Sequence, residues 1–111
     1  MTDRELLELA AKAAGIALYK ESVFTNGLTQ EVGRGVLCWN PLVSDGDAMR
    51  LAVGLNMCVV VDGENNHVRV YAQSFARPEE GYGDCGFAQD KCAATRRAIV
   101  RAAAEIGKVM Q

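Results

Sequence analysis

The chain has 111 residues, half of them hydrophobic, and a formal net charge of −2. This length predicts a single domain, residues 1–111, with enough apolar residues for a core, which argues against intrinsic disorder. The slight acidity disfavours broad attraction to nucleic acid or anionic lipid. Nucleic-acid binding is therefore a weak hypothesis that rests on the basic C-terminal segment alone. No apolar run approaches the ~20 residues that a membrane span needs.

The N-terminus is charged with both signs and differs from a signal peptide, so we expect a cytoplasmic protein. Its four cysteines, Cys38, Cys58, Cys85 and Cys92, would then be reduced. The sequence has no Cys-x-x-Cys pair and no second histidine beside His67, so the usual zinc spacings are absent. We therefore predict buried or half-buried free thiols, with no metal and no cofactor.

The first predicted elements are a helix and two strands. Thr2 and Glu5 have the spacing of a capping box, and Gly15 is a natural end for the helix that follows. Residues 16–24, rich in β-branched and aromatic side chains, predict a strand, and residues 32–39 predict a second.

The second helix follows a proline turn at Pro41. Ser44 is the best N-cap, and Gly54 and Asn56 end the helix. Its predicted buried face consists of Ala48, Met49, Ala52 and Val53.

Two further strands and a last helix complete the prediction. Residues 57–61 form an apolar run typical of a central strand covered on both faces, and alternation over 67–75 predicts a strand with one buried face. A turn at 62–66 joins them, and residues 76–89 form a long loop. The last helix begins at residue 89 or 90, with an apolar stripe of Cys92, Thr95, Ile99, Ala102, Ala103, Ile106 and Met110.

These elements predict an α+β fold in the order α-β-β-α-β-β-α. We expect one four-stranded, mainly antiparallel sheet with the two internal helices on one face. Residues 16–53 and 57–109 would each contain two strands and a helix, so an internal duplication is an open hypothesis.

The glycine-rich residues 81–86 precede a helix, as in phosphate-binding turns. However, no Lys-Ser/Thr pair follows the glycines, and acidic residues nearby would repel phosphate. These acidic residues are Glu79, Glu80, Asp84 and Asp90. A surface loop is therefore the favoured interpretation.

The arginines of the last helix are the best candidate for an anion site. Arg96 and Arg97 could bind a small anionic ligand, with Tyr82 as an aromatic contact. The alternative is a solvated helix face in which Arg101 pairs with Glu105. The sequence favours this second interpretation without excluding the first.

Other reactive side chains have structural explanations. His67 has no cysteine or serine neighbour in sequence, so it predicts a surface strand histidine and not a catalytic base. Four carboxylates, Asp45, Asp47, Asp62 and Glu64, fit capping and turn positions better than a metal site. Trp39 at a strand end predicts a core anchor.

Two segments, Trp39-Asn-Pro-Leu-Val-Ser-Asp-Gly-Asp-Ala-Met-Arg-Leu-Ala-Val53 and Ala94-Thr-Arg-Arg-Ala-Ile-Val-Arg-Ala-Ala-Ala-Glu-Ile-Gly107, resemble small phage- and prophage-encoded proteins of the phage ABA (αβα) sandwich family. The biochemical role of that family is undetermined. The resemblance implies a phage origin and an αβα architecture in which the N-terminal helix covers part of the second sheet face. It implies no functional residues.

The sequence therefore favours a non-enzymatic phage accessory protein that binds a host or phage protein. The alternative is a small-ligand protein that binds or sequesters an anionic nucleotide. A hydrolase or transferase has no motif to support it. A homo-oligomer is compatible with the sequence.

Overall fold

The structure is a computed structural model that describes residues 2–15, 18–21, 28–32, 35–72, 82–86 and 90–110, with side chains at 2–15, 39–71, 86 and 90–110. These ranges contain three helices and six strands. In chain order they are α1 (Asp3–Ala14), β1 (Leu18–Glu21), β2 (Leu28–Val32), β3 (Gly35–Trp39), α2 (Asp45–Gly54), β4 (Met57–Asp62), β5 (His67–Ala72), β6 (Tyr82–Gly86) and α3 (Lys91–Val109).

The strands form two three-stranded antiparallel sheets, ordered β1-β2-β3 and β4-β5-β6. The predicted four-stranded sheet and its α-β-β-α-β-β-α order are therefore wrong, although the α+β composition is confirmed. The β4–β5 pair, which has side chains described in both strands, matches the prediction for residues 57–61 and 67–75 as far as residue 72. Residues 73–75 lie outside the described part of the chain.

The sequence analysis did not predict two of the strands, β2 and β6. β6 lies within residues 76–89, which we expected to form a loop, and it pairs with β5 from Tyr71–Tyr82 to His67–Gly86. Its sequence, Tyr-Gly-Asp-Cys-Gly, is poor in residues that favour strands, so its pairing with β5 is needed to define it. β2 was missed as well, and each half of the chain has three strands before its helix, where we expected two. The duplication stays a hypothesis.

α1 begins and ends as the sequence predicts. The Thr2 hydroxyl accepts a hydrogen bond from the Glu5 amide at 3.2 Å, and Gly15 adopts a left-handed conformation with φ of 72°. The helix buries Leu6 and Leu7 against α3, the helix with which it has its most extensive contact.

α3 is the central helix, because α1, α2, β5 and β6 all contact it. Its buried residues are Ala94, Ala98, Ile99, Val100, Ala102, Ala103, Ala104, Ile106 and Gly107. The predicted stripe is correct for Ile99, Ala102, Ala103 and Ile106. It is wrong for Cys92, which is exposed, and for Met110, which is 39% exposed. The helix has neighbours on several sides, so one stripe does not describe its burial.

α2 starts at the predicted N-cap, since the Ser44 hydroxyl accepts a hydrogen bond from the Asp47 amide at 3.2 Å. The predicted buried face is only partly correct. Ala48 and Ala52 are buried together with Leu51, whereas Met49 and Val53 are 62% and 68% exposed. The buried residues follow an i, i+3, i+4 stripe, and Met49 and Val53 lie on the neighbouring one.

Trp39 is 3% exposed and belongs to the core, as predicted. Val68 and Val70 of β5 are also fully buried, which confirms the predicted alternation. β4, in contrast, is not a central strand: within the described residues it pairs with β5 alone. None of the helices within these ranges combines the length and apolar character required to cross a membrane.

Candidate functional site: an apolar groove between two helices

A groove of about 320 Å³ opens between α2, the first half of α3 and the end of β4. It is lined by Asp45, Ala48, Met49, Val61, Lys91, Cys92, Thr95, Arg96 and Ile99. Its volume is at the lower end of the range of small-molecule pockets, about 300–1,000 Å³. The groove is therefore large enough for one or two bulky side chains of a partner.

The walls of the groove are apolar because core residues of both helices line it. Ala48 on α2 and Ile99 on α3 are both 3% exposed and belong to the hydrophobic core. Met49, 62% exposed, and Val61, 53% exposed, present apolar surface at the mouth. An apolar groove with exposed apolar side chains at its mouth is typical of interaction sites.

Arg96 forms the polar end of the groove, and its guanidinium is already engaged. Its Nε donates to the Leu42 carbonyl at 2.9 Å, and Nη1 donates to Asp45 Oδ1 at 2.5 Å. The Arg96 side chain is 16% exposed, compared with 73% for Asp45. Arg96 thus ties α3 to the start of α2, and two of its donors are used within the protein.

The turn before α2 is stabilised by Asn40, a buried polar residue. Its Oδ1 accepts a hydrogen bond from the backbone amide of Leu42 at 3.1 Å, and the backbone amide of Asn40 donates to Asp47 Oδ2 at 3.0 Å. Asp47 also pairs with Arg50 at 2.8 Å. The polar side chains of this segment therefore stabilise the chain reversal between β3 and α2, as capping and turn propensities predict.

The two arginines among the predicted ligand-binding residues point to different parts of the structure. Arg97 pairs with Asp3 at 2.6 Å, so it points towards α1, whereas Arg96 lies at the groove. Tyr82 is opposite Tyr71 in the β5–β6 pair, and its side chain lies outside the described part of the structure. At the start of α3, Asp90 Oδ1 accepts hydrogen bonds from the amides of residues 92 and 93 at 2.9 and 3.1 Å.

Among the remaining candidates, His67 and Cys58 do not line the groove, whereas Cys92 does. His67 is half-buried at the start of β5. Cys58 and Cys92 are free thiols, of which Cys58 is half-buried, whereas the exposure of Cys92 contradicts the predicted burial. The side chains of Cys38 and Cys85 are outside the described set. Within the described ranges, no three His, Cys, Asp or Glu side chains come together as a metal site would require.

Asp62 organises the turn between β4 and β5. Its carboxylate accepts hydrogen bonds from the Asn65 side chain at 2.7 Å and from the amides of Asn65 and Glu64. The side-chain hydrogen bond from Asn65 is the main reason why the pKa of Asp62 falls below its ordinary value of 3.8; its backbone hydrogen bonds and the nearby Arg69 act in the same direction. This carboxylate therefore has a structural role in the turn.

Sequence reasoning missed the groove because it assigned Met49 to the core and β4 to the middle of a sheet. Both residue patterns are apolar, and apolar patterns do not distinguish a buried surface from an exposed one. No protein-family model matches the chain, and no significant match to it exists among curated proteins or solved structures. The geometry of the groove is therefore the only support for this candidate site.

Proposed function

We propose that this protein is a non-enzymatic binding protein whose groove between α2 and α3 holds an apolar segment of another protein. One observation supports this most directly: the groove walls are apolar, and the large apolar residues Met49 and Val61 are exposed beside them. Burying such side chains against a partner releases roughly 25 cal/mol for each Å² of apolar surface removed from water.

The occupant that fits the groove is an apolar anchor side chain on a partner segment. Hot spots in interfaces are commonly large side chains that fill a pocket and are surrounded by a polar rim. Here the rim consists of Asp45, Lys91 and Arg96, so charges of both signs surround the apolar centre. A partner segment with an apolar centre and charged flanks would match this arrangement.

The ion pairs of the arginines are the reason for preferring a protein partner to an anionic nucleotide. Arg96 and Arg97 each pair with a carboxylate of the same chain, and Asp90 places a third carboxylate at the start of α3. An anion at this helix end would have to compete with these groups. The resemblance to phage ABA sandwich proteins supports a further part of the proposal, that the chain is a phage accessory protein with a host or phage partner.

Capture from infected host lysate with matched variants tests the proposal. Met49→Lys places a charge at the groove mouth, and Val109→Lys makes the same change at an exposed position near the opposite end of α3. A partner retained by the original protein and by Val109→Lys, but lost by Met49→Lys, is the expected result. A partner bound equally by all three proteins, or a nucleotide retained through Arg96 and Arg97, would overturn the proposal.

A further inference from the structure

β4 has the composition of an interior strand but lies at the edge of its sheet. Residues 57–61 are apolar without interruption. β4 pairs with β5 without a register shift, and no other described strand pairs with it. Sheet edges usually carry lysine, proline or a bulge that prevents pairing with another chain. β4 has none of these features, so its outer edge presents backbone N–H and C=O groups suited to a further strand.

The side chains beside this edge also lack cover. Val59 and Val61 lie opposite Val70 and Val68, which are fully buried, so all four share the core face of the sheet. Yet Val59 is 36% and Val61 53% exposed. The core face therefore continues to the strand edge, where the helices no longer cover it.

α2 extends this apolar surface. Its exposed residues Met49 and Val53 are one helical turn apart, on the same side of the helix. Met49 lines the same groove as Val61, so the exposed stripe of α2 runs beside β4. A neighbour that continued the sheet would gain strand hydrogen bonds and would also cover this stripe.

We propose that the neighbour is a second copy of this chain, with the two β4 strands paired antiparallel about a two-fold axis at Val59. This register places Met57 opposite Val61 of the other copy and Cys58 opposite Val60, so the whole apolar run is matched. Asp62 then faces the uncharged Asn56, and no two like charges meet. The β4-β5-β6 sheets of the two copies become one sheet of six strands, and the two-fold symmetry of the dimer closes the assembly.

A second copy fits better than a foreign peptide because the strand is complementary to itself in this register. Strand addition at a sheet edge is a general mode of protein association. It would place β4 in the interior of a sheet, in agreement with its uninterrupted apolar sequence. The second copy and the partner proposed for the groove would both contact Met49 and Val61, but the strand pairing is centred on Val59, which does not line the groove.

Sedimentation velocity of the full chain over a range of concentrations tests the inference. We expect a monomer–dimer equilibrium in the original protein and in Val109→Lys. Val59→Lys places two lysines opposite each other at the two-fold axis, and we expect its dimer dissociation constant to rise about tenfold or more. A monomer at every concentration, or a dimer that Val59→Lys does not weaken, would overturn the proposal.

A cross-link provides a second measurement that does not require a charged variant to fold. In Val59→Cys the two new thiols face each other across the axis, and mild oxidation should join them. Mass spectrometry of the digested dimer should then identify a peptide containing a disulfide between the two copies of residue 59. Oxidised dimers linked only through other cysteines would refute the register.

The capture experiment with Val59→Lys distinguishes this proposal from the groove proposal. If Val59→Lys captures the groove partner at the level of the original protein, the groove proposal holds whatever the outcome for the dimer.

Discussion

Arg96 joins the first half of α3 to the turn that precedes α2. Its side chain is 16% exposed and combines a hydrogen bond to the Leu42 carbonyl with an ion pair to Asp45. Arg97, the next residue, is 36% exposed and pairs with Asp3, which is 61% exposed. The two arginines thus have the same sequence signature but different environments, and only the three-dimensional neighbours distinguish them.

Replacing these arginines one at a time should separate the two environments. We expect Arg96→Gln to lower the free energy of unfolding by roughly 1–2 kcal/mol, because a charge-assisted hydrogen bond to a part-buried carbonyl is lost. Arg97→Gln should change it by less than about 0.5 kcal/mol, since exposed ion pairs contribute little. Urea denaturation measures both values. Equal effects would contradict the structural role assigned to Arg96.

The lowered pKa of Asp62 predicts a contribution to the stability of the fold that is lost in acid. Because the folded pKa lies below the ordinary value of 3.8, the ionised carboxylate stabilises the native state above the pKa of the unfolded chain. This contribution disappears as the pH falls through the folded pKa. Asn65→Ala removes the largest cause of the shift, so the pKa of Asp62 should rise towards its ordinary value.

An NMR titration of the Asp62 carboxyl carbon measures this pKa directly, and Glu64→Ala is a suitable control because the Glu64 contribution comes from its backbone amide. We expect the control to keep the lowered pKa. An Asp62 pKa at or above its ordinary value in the original protein would contradict the hydrogen-bond network described for the turn.

At the scale of elements, the contact between α1 and α3 depends on Gly107. A methyl group added to this glycine would overlap the Leu9 carbonyl oxygen and lie 2.8 Å from the carbonyl carbon. The two helix backbones therefore approach each other closely, as the small residues of α3 allow. The apolar stripe predicted for α3 did not identify α1 as the partner of this close contact.

Gly107→Ala tests this close contact. Alanine favours helix over glycine by about 1 kcal/mol, yet we expect a net loss of about 1–3 kcal/mol because α1 must move away. Gly54→Ala is the matched control: Gly54 ends α2 with open space around it, so alanine should leave stability unchanged or raise it. Thermal unfolding of both variants measures the difference, and a stabilising Gly107→Ala would refute the close packing.

At the scale of the whole molecule, α3 connects the other layers, and its contacts reach α1, α2, β5 and β6. The groove lies where α2, the first half of α3 and the end of β4 come together. The exposed edge exists because, among the described strands, β5 has a neighbour on each side whereas β4 has one. Both surfaces are consequences of how complete elements are placed, and both lie beside apolar residues that a sequence pattern assigns to a core.

The sequence by itself determined the features that depend on local interactions. The caps at Thr2, Ser44 and Gly15, the turn at Asp62 and the alternation of β5 need only neighbouring residues, so the spacing of polar and apolar side chains was sufficient to predict them. The tertiary structure alone decided which apolar residues are covered. It left Met49, Val59 and Val61 exposed and gave β6 its strand pairing with β5, because burial and sheet hydrogen bonds depend on distant segments. A hydrophobic pattern specifies that a surface avoids water, and only the arrangement of the elements specifies whether this chain or another one covers it.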